Sequence, residues 1–319
     1  MSKPKLLFSA PFSFLKDDIK KFREIFEIDF IEIWKRNELL QLHADYEFWI
    51  PNPGQNFVID NSILEKMTHL KIISTPSTGT NHINILDCNS RNVHVVGLLD
   101  QKIKLESISA SAEFTFLKVL SSLRNIRLAW SEVELNRWRD NEDKMRGHEI
   151  NERTFGLIGM GRIGNKLCRY LEAFEARKIF FYDPYVNCDK LNISEKKDLD
   201  FIFQNSDVVV ICCALNEETN SLISKKHLDL LPKDACMINT SRGEIINEQE
   251  LVEFLRERPD ITFCADVITG EVNDLQMHNP LIPLHLEKKI NLTPHIAGAT
   301  YGSQTKAAVF AFEALIDNV

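Results

Sequence analysis

No stretch of this 319-residue chain approaches the roughly 18 to 20 consecutive apolar residues that a membrane-spanning helix needs. The N-terminal MSKPKLLFSAPFSFLKDD carries only a short apolar run and no small-residue cleavage pattern, so no secretory leader is expected. Positive charge is not in excess either. The 38 Lys and Arg stand against 46 Asp and Glu, a net charge of −8, which argues against nucleic acid or an anionic membrane as partner. The seven cysteines form no C-x-x-C, and Cys168, Cys212, Cys213, Cys236 and Cys264 sit inside apolar runs where Cys acts as a small hydrophobe. A disulfide framework and a zinc site are therefore not expected, and the usage is that of a cytoplasmic protein. The histidines show no H-x-x-x-H or H-E-x-x-H spacing, and Ser241 lacks the G-x-S-x-G turn of a nucleophile. Repeats and low-complexity tracts are missing too.

What is present is ordinary globular composition, 44% hydrophobic and 26% charged, in a chain long enough for about two domains. Short apolar runs at Lys5–Ser9, Phe48–Ile50 and Lys71–Thr75 alternate with a helix expected over Leu15–Phe26 and a short segment at Ile63–Met67, an α/β pattern. A long apolar stripe from Ser109 to Ala129 predicts a buried connecting helix, followed by a polar surface segment. Runs at Asp207–Cys213, Ala235–Asn239, Ile261–Ala265 and Ile290–Thr293 continue a parallel sheet, and EKKDLD at 195–200 is expected to be a solvated face.

One segment combines several signals. The apolar run Phe155–Ile158 leads into Gly159, Gly161 and Gly164, which fill G-x-G-x-x-G, where a tight turn lets the backbone approach a pyrophosphate. Ile163, Leu167, Tyr170, Leu171 and Phe174 follow at helical spacing, so a helix N-terminus faces the phosphate. Lys178–Tyr182 is a second strand, delivering Asp183 about 20 residues beyond the glycines. An acid there binds both ribose hydroxyls and repels a 2′-phosphate, so NAD is expected over NADP. The candidate cofactor residues are Gly159, Met160, Gly161, Arg162, Ile163, Gly164 and Asp183, joined by Thr240 and Asp266 farther on. The alternative is a bare strand-to-helix turn in another α/β protein.

Hydride chemistry needs a grip on the substrate carboxylate and an acid for the hydroxyl proton. Arg242 in NTSRG follows a strand, where a guanidinium can hold a carboxylate bidentately; the alternative is a surface ion pair. Asp266 and Glu271 lie in CADVITGE and His295 in LTPHIAGAT, each after a strand. A His beside a carboxylate has its protonated form favoured, which suits an acid that protonates an alkoxide.

GLIGMGRIG with Tyr182-Asp183-Pro184, NTSRGEIINEQEL, ADVITGE and TPHIAGAT resemble the D-isomer-specific 2-hydroxyacid dehydrogenases over nearly the whole chain, with the phosphoglycerate dehydrogenase branch nearest. The resemblance implies Rossmann/flavodoxin-like doubly wound parallel sheets in two domains, with the active site in the cleft between them. It places a substrate domain at 1–107 and 297–319 and an NAD domain at 108–296. It assigns Arg242, Glu271 and His295 as catalytic and Asp266 to the nicotinamide carboxamide. It also implies that Thr78 and Gly79, in STGTNHINI, supply backbone amides for the carboxylate of a 2-oxo or 2-hydroxy acid, and that the assembly is a homodimer. A catalytically silent NAD-sensing scaffold, akin to the corepressor relatives of this superfamily, keeps the same motifs and is the alternative. Formate dehydrogenase chemistry is disfavoured, because that branch has a Gln where Glu271 stands.

Three departures bear on substrate. Val272 stands where the family has a proline, 98–107 lacks the Asn/Pro piece of the phosphoglycerate branch, and the Pro51–Gly54 turn has no basic residue for a phosphate. Lys102 and Lys104 either replace that charge or are simply solvated.

Overall fold

The computed structural model describes residues 3–318 except 12, 16, 18, 43–44, 187–193 and 273–277. The chain divides into two compact units: Met1–Ile108 with Gly270–Leu275 and Ala299–Val319, and Ser109–Thr269 with Gln276–Gly298.

The first unit is built on five parallel strands: β1 (Lys5–Phe8), β2 (Glu27–Phe30), β3 (Phe48–Ile50), β4 (Ile72–Ser74) and β5 (His94–Val96). Their order β2-β1-β3-β4-β5 is the flavodoxin-like doubly wound arrangement. Leu6, Leu7 and Phe8 of β1, an interior strand, are fully buried, as a strand covered on both faces requires. Phe8 and Phe22 stack on Phe312 at 5.4 and 4.4 Å, which docks the last helix, Tyr301–Asp317, onto one face. That helix is fastened further by Ser74, whose hydroxyl donates to the Ala311 carbonyl at 2.8 Å. Instead of the α-helix expected over Leu15–Phe26, the described residues there hold only a 3₁₀ turn, Lys20–Glu24; Phe22 and Phe26 are buried by tertiary packing, which overrides the helical periodicity.

The second unit holds β6 (Thr154–Ile158), β7 (Lys178–Tyr182), β8 (Ser194–Lys196), β9 (Val208–Ile211), β10 (Cys236–Asn239), β11 (Thr262–Ala265) and β12 (Asn291–Leu292). All pairings are parallel, in the order β12-β11-β10-β9-β6-β7-β8, the Rossmann order with a seventh strand added beside β11. Glu195 and Lys196, at the start of the 195–200 stretch expected to be a solvated face, form with Ser194 the edge strand β8 against β7. The connecting stripe is two helices, Ala110–Leu123 and Ile126–Glu134, broken where Asn125 turns into the left-handed region at φ 48°. Because every strand runs the same way, the loops after β6, β7, β9, β10, β11 and β12 gather along the carboxyl edge of this sheet, and the order reverses between β9 and β6.

Candidate active site

The glycine loop sits at that reversal. Gly159 has φ 97°, and a Cβ there would lie 2.6 Å from the Cys213 amide nitrogen, beyond the end of β9. A Cβ on Gly164 would lie 2.2 Å from the Gly159 carbonyl, so this glycine lets the helix Arg162–Ala173 pack tightly against the turn. Gly161, the residue capping that helix, differs: a Cβ there would meet nothing within 4 Å. The loop is thus filled by protein on one side and open at the helix N-terminus, which fits a pyrophosphate held by first-turn amides.

Asp183 follows β7, as expected, and is also tied into the loop. One carboxylate oxygen accepts the Met160 N–H at 2.9 Å and the other the Tyr185 N–H at 2.8 Å. A negative charge is thereby held rigidly beside the glycine turn. Tyr185 in turn hydrogen-bonds through its hydroxyl to Glu218, in the segment after β9.

Arg242, Asp266 and His295 follow β10, β11 and β12, three adjacent strands paired Asn239 to Ala265 and Ala265 to Leu292. Arg242 is half-buried and its Nη1 donates to the Ser241 carbonyl at 2.6 Å. Its backbone is set by Asn239, whose amide nitrogen donates to the Arg242 carbonyl at 2.8 Å while its oxygen accepts the Ser241 N–H at 3.0 Å. Thr240 is buried, with its hydroxyl 2.7 Å from that of Thr115. Thr115 gives its own proton to the Ser111 carbonyl, so Thr240 is the donor of that pair.

Asp266 is only 1% exposed and its carboxylate is committed to the loop after β12. It accepts the Thr293 hydroxyl at 2.5 Å, the Ile296 N–H at 3.1 Å and the Ala297 N–H at 2.7 Å. His295 itself is exposed, in the left-handed region at φ 51°, and its N–H donates to the Asp266 main-chain carbonyl at 2.8 Å. A non-glycine residue there stores strain of about 1 kcal/mol or more, and persists because its surroundings over-determine it.

Sequence reading missed the groups that hold these loops. Glu248, buried at the start of the helix Glu248–Glu257, accepts the Thr269 N–H and an Asn279 side-chain N–H, both at 2.6 Å. Burial raises its carboxyl pKa despite those donors. The pair secures the residue from which the chain passes through Gly270, φ 78°, to half-buried Glu271 and Val272. Lys118 is buried on the helix Ala110–Leu123 with Nζ 3.4 Å from the Ala265 carbonyl, and burial lowers its pKa. The N-cap Asn247 before an acid pair hinted at the start of the Glu248 helix; nothing local signalled Lys118.

In the first unit, β4 runs into the loop holding Thr78 and Gly79, both half-buried. The hydrogen bonds of the described residues engage the Ser77 carbonyl, from Leu98 N–H at 3.1 Å, and the Gly79 carbonyl, from Ser77 Oγ at 2.6 Å. None of them uses the Thr78 or Gly79 amide. The Pro51–Gly54 turn is closed on itself: buried Asn52 donates to the Ile33 carbonyl at 3.1 Å and accepts the Gly54 N–H at 2.9 Å. Lys104 is paired with Glu313 at 2.9 Å. Among the described residues no group of three or more His, Cys, Asp or Glu is placed to hold a metal.

Residues 116–297 match the model of the D-isomer specific 2-hydroxyacid dehydrogenase NAD binding domain, more than half of the chain. A glyoxylate reductase of Thermofilum pendens is 32% identical over 81% of this chain and 74% of its own. A D-3-phosphoglycerate dehydrogenase of Methanocaldococcus jannaschii is 27% identical over 93% of this chain, which spans about half, 54%, of that relative. A solved D-lactate dehydrogenase of Aquifex aeolicus, in complex with NAD and lactic acid, shares the fold at a TM-score of 0.79, with 22% identity, covering 98% of this chain and 96% of that one. The chain therefore belongs to the D-isomer specific 2-hydroxyacid dehydrogenase family, and is an NAD-dependent oxidoreductase acting on 2-hydroxy acids.

Proposed function

We propose that the protein interconverts a small, unphosphorylated 2-oxo acid and the matching 2-hydroxy acid, of D configuration where that carbon is chiral, and that glyoxylate is the first substrate to try. The observation that carries this reading is the carboxyl edge of the second sheet, where the open glycine loop, Asp183, Arg242 and the Asp266-anchored His295 follow β6, β7, β10, β11 and β12.

When bound, the nicotinamide cofactor supplies or accepts the hydride. The first-turn amides around Gly161, Arg162 and Ile163 hold its pyrophosphate, and Asp183 binds the adenosine ribose. Arg242 grips the substrate carboxylate and polarises the 2-oxo group. The Thr78 and Gly79 amides, which no hydrogen bond of the described residues uses, take the remaining carboxylate oxygen. His295 gives its proton to the alkoxide oxygen in reduction and removes it in oxidation, and Glu271 is the carboxylate that the family resemblance assigns beside it.

Two features favour an unphosphorylated substrate. The Pro51–Gly54 turn has no cation and is closed by Asn52, and Lys104 is engaged by Glu313. The relatives include glyoxylate reductases, and it is this kinship with oxidoreductases, since a silent sensing scaffold would keep the same motifs, that disfavours the scaffold reading.

Following NADH absorbance across a panel of small, branched, aromatic, dicarboxylic and phosphorylated 2-oxo acids, with His295→Ala as the blank, tests the reading. Oxidation of a small unphosphorylated acid that requires His295 supports it. Turnover confined to phosphorylated acids, or undiminished in His295→Ala, overturns it.

The second unit also exposes Leu117, Trp130, Val133, Leu135, Trp138 and Phe174, with Trp138 76% exposed. A second copy of the chain covering this surface makes a homodimer, the reading we adopt. A cytoplasmic setting accords with the six described cysteines, all free and five of them buried. No helix among the described residues is long and apolar enough to cross a membrane.

A further inference from the structure

A buried histidine lies behind the loop that carries Thr78 and Gly79. His82 is 4% exposed and its Nε2 is 3.0 Å from the hydroxyl of Thr75, which is fully buried. Thr75 Oγ1 is 2.9 Å from Ser77 Oγ, and Ser77 Oγ donates to the Gly79 carbonyl at 2.6 Å. A hydroxyl has one proton, so the last bond orders the others. Ser77 has given its proton to Gly79, and Thr75 must therefore donate to Ser77. Thr75 then has only lone pairs for His82, whose Nε2 carries the proton. The result is a one-way chain, Nε2–H to Thr75, Thr75 to Ser77, Ser77 to Gly79, in which each bond polarises the next.

The surroundings hold both ends of this chain. The His82 carbonyl accepts the Ile59 N–H at 2.8 Å, the Thr75 N–H donates to the Val96 carbonyl at 2.9 Å, and the Ser77 carbonyl accepts the Leu98 N–H at 3.1 Å. The Ser77 carbonyl shares its peptide with the Thr78 N–H, so the Leu98 bond orients that amide directly, and the Gly79 N–H lies in the one peptide between it and the Gly79 carbonyl that Ser77 Oγ holds.

We propose that His82 is a positioning residue for the substrate carboxylate, acting through Thr75 and Ser77 to hold the Thr78 and Gly79 amides in their binding orientation. The inference rests on the assignment of those amides to the carboxylate. It predicts a defect in substrate binding, without loss of the chemical step or of cofactor affinity.

The test uses the intact protein, with oxamate as a carboxylate probe of the NADH complex and glyoxylate for turnover. Thr75→Val keeps the side-chain shape and removes the hydroxyl. It is expected to raise the oxamate Kd and the glyoxylate KM about tenfold, the size of one lost hydrogen bond, while kcat stays within about twofold and the NADH Kd is unchanged. Thr75→Ser restores wild-type binding. His82→Gln, which keeps an N–H donor, lies closer to wild type than His82→Leu. If Thr75→Val folds poorly, Ser77→Ala at a half-buried position gives the same split.

A Thr75→Val protein that melts like wild type and binds oxamate equally well overturns the relay, while the carboxylate assignment stands if Arg242→Lys still weakens oxamate. A wild-type NADH complex that binds neither oxamate nor any 2-oxo acid overturns the carboxylate assignment and the relay with it.

Discussion

Asp266 holds the loop of His295 by two kinds of bond: its main-chain carbonyl accepts the His295 N–H at 2.8 Å, and its carboxylate accepts the Ile296 and Ala297 N–H groups at 3.1 and 2.7 Å. The proposed acid is thus held in a left-handed backbone conformation by a side chain buried at the end of the neighbouring strand. Asp266→Asn turns one acceptor oxygen into a donor facing an N–H and should release the loop. Misplacing a catalytic group by about 1 Å can cost around 10²-fold, so kcat should fall by 10- to 100-fold with a smaller change in NADH affinity. Steady-state kinetics with fluorescence titration of NADH checks this, and unchanged kcat would show that the clamp is dispensable.

The proposed role of His295 predicts a different split. His295→Ala should lower kcat by about 10² to 10⁴, the usual size of general acid catalysis, and leave NADH binding intact because the Asp266 clamp uses backbone groups. Loss of NADH binding in this variant would mean that the side chain shapes the cofactor site instead.

Beside the role proposed for it in disfavouring a 2′-phosphate, Asp183 anchors Met160 of the glycine loop at 2.9 Å. Asp183→Ala should weaken NADH by about 10- to 100-fold, as expected for lost bonds to a charged group, and weaken NADPH much less. Isothermal titration of both cofactors decides it. Equal losses would mean that loop anchoring, with no contribution from ribose recognition, sets the affinity.

Stability should fall on mild acidification. His285 is pushed below its ordinary pKa of 6.5, first by burial and then by the nearby Arg127 guanidinium, and its Nδ1 accepts the Leu292 N–H at 3.0 Å. His227 is shifted the same way by burial and Lys226. Their folded pKa values lie below the unfolded one, so the unfolded chain binds more protons as pH drops through 6.5, and stability is lost over that fall. Thermal melts between about pH 7.5 and 5 should show the decline, shallower in His285→Gln, which keeps an acceptor but gains no proton. An identical slope in that variant would assign the effect elsewhere.

Trp130→Asp with Trp138→Asp, both exposed in the second unit, should convert the proposed dimer to monomer at micromolar concentration. Light scattering reads the mass, and a wild-type monomer would remove the dimer reading.

The features legible in sequence were those whose physics is local. Three glycines at fixed spacing after Phe155–Ile158 announce a tight turn, and the apolar runs that became β6, β9, β10 and β11 announce buried parallel strands, because backbone sterics and side-chain period act over a few residues. The sequence motifs alone therefore placed Arg242, Asp266 and His295 beyond strand ends. Where local pattern failed, long-range packing had prevailed: Leu15–Phe26 has helical spacing but buries Phe22 against Phe312, and Glu195 and Lys196 of the 195–200 stretch joined a strand by pairing with β7.

The tertiary structure alone decided what holds those residues. Asp266 reaches a loop 30 residues on, and Glu248 and Thr269 meet across 21 positions. Lys104 finds Glu313 across 209, leaving it paired where the sequence left it open as a phosphate ligand or a solvated side chain. Each such pairing is a hydrogen bond or ion pair between groups that only the folded backbone brings within about 3 Å, and no residue spacing encodes it. The chain's own order of residues determined the cofactor fold and the chemistry available to the proposed reacting groups. Their orientation, on which the reaction depends, came from contacts that exist only once the sheets have formed.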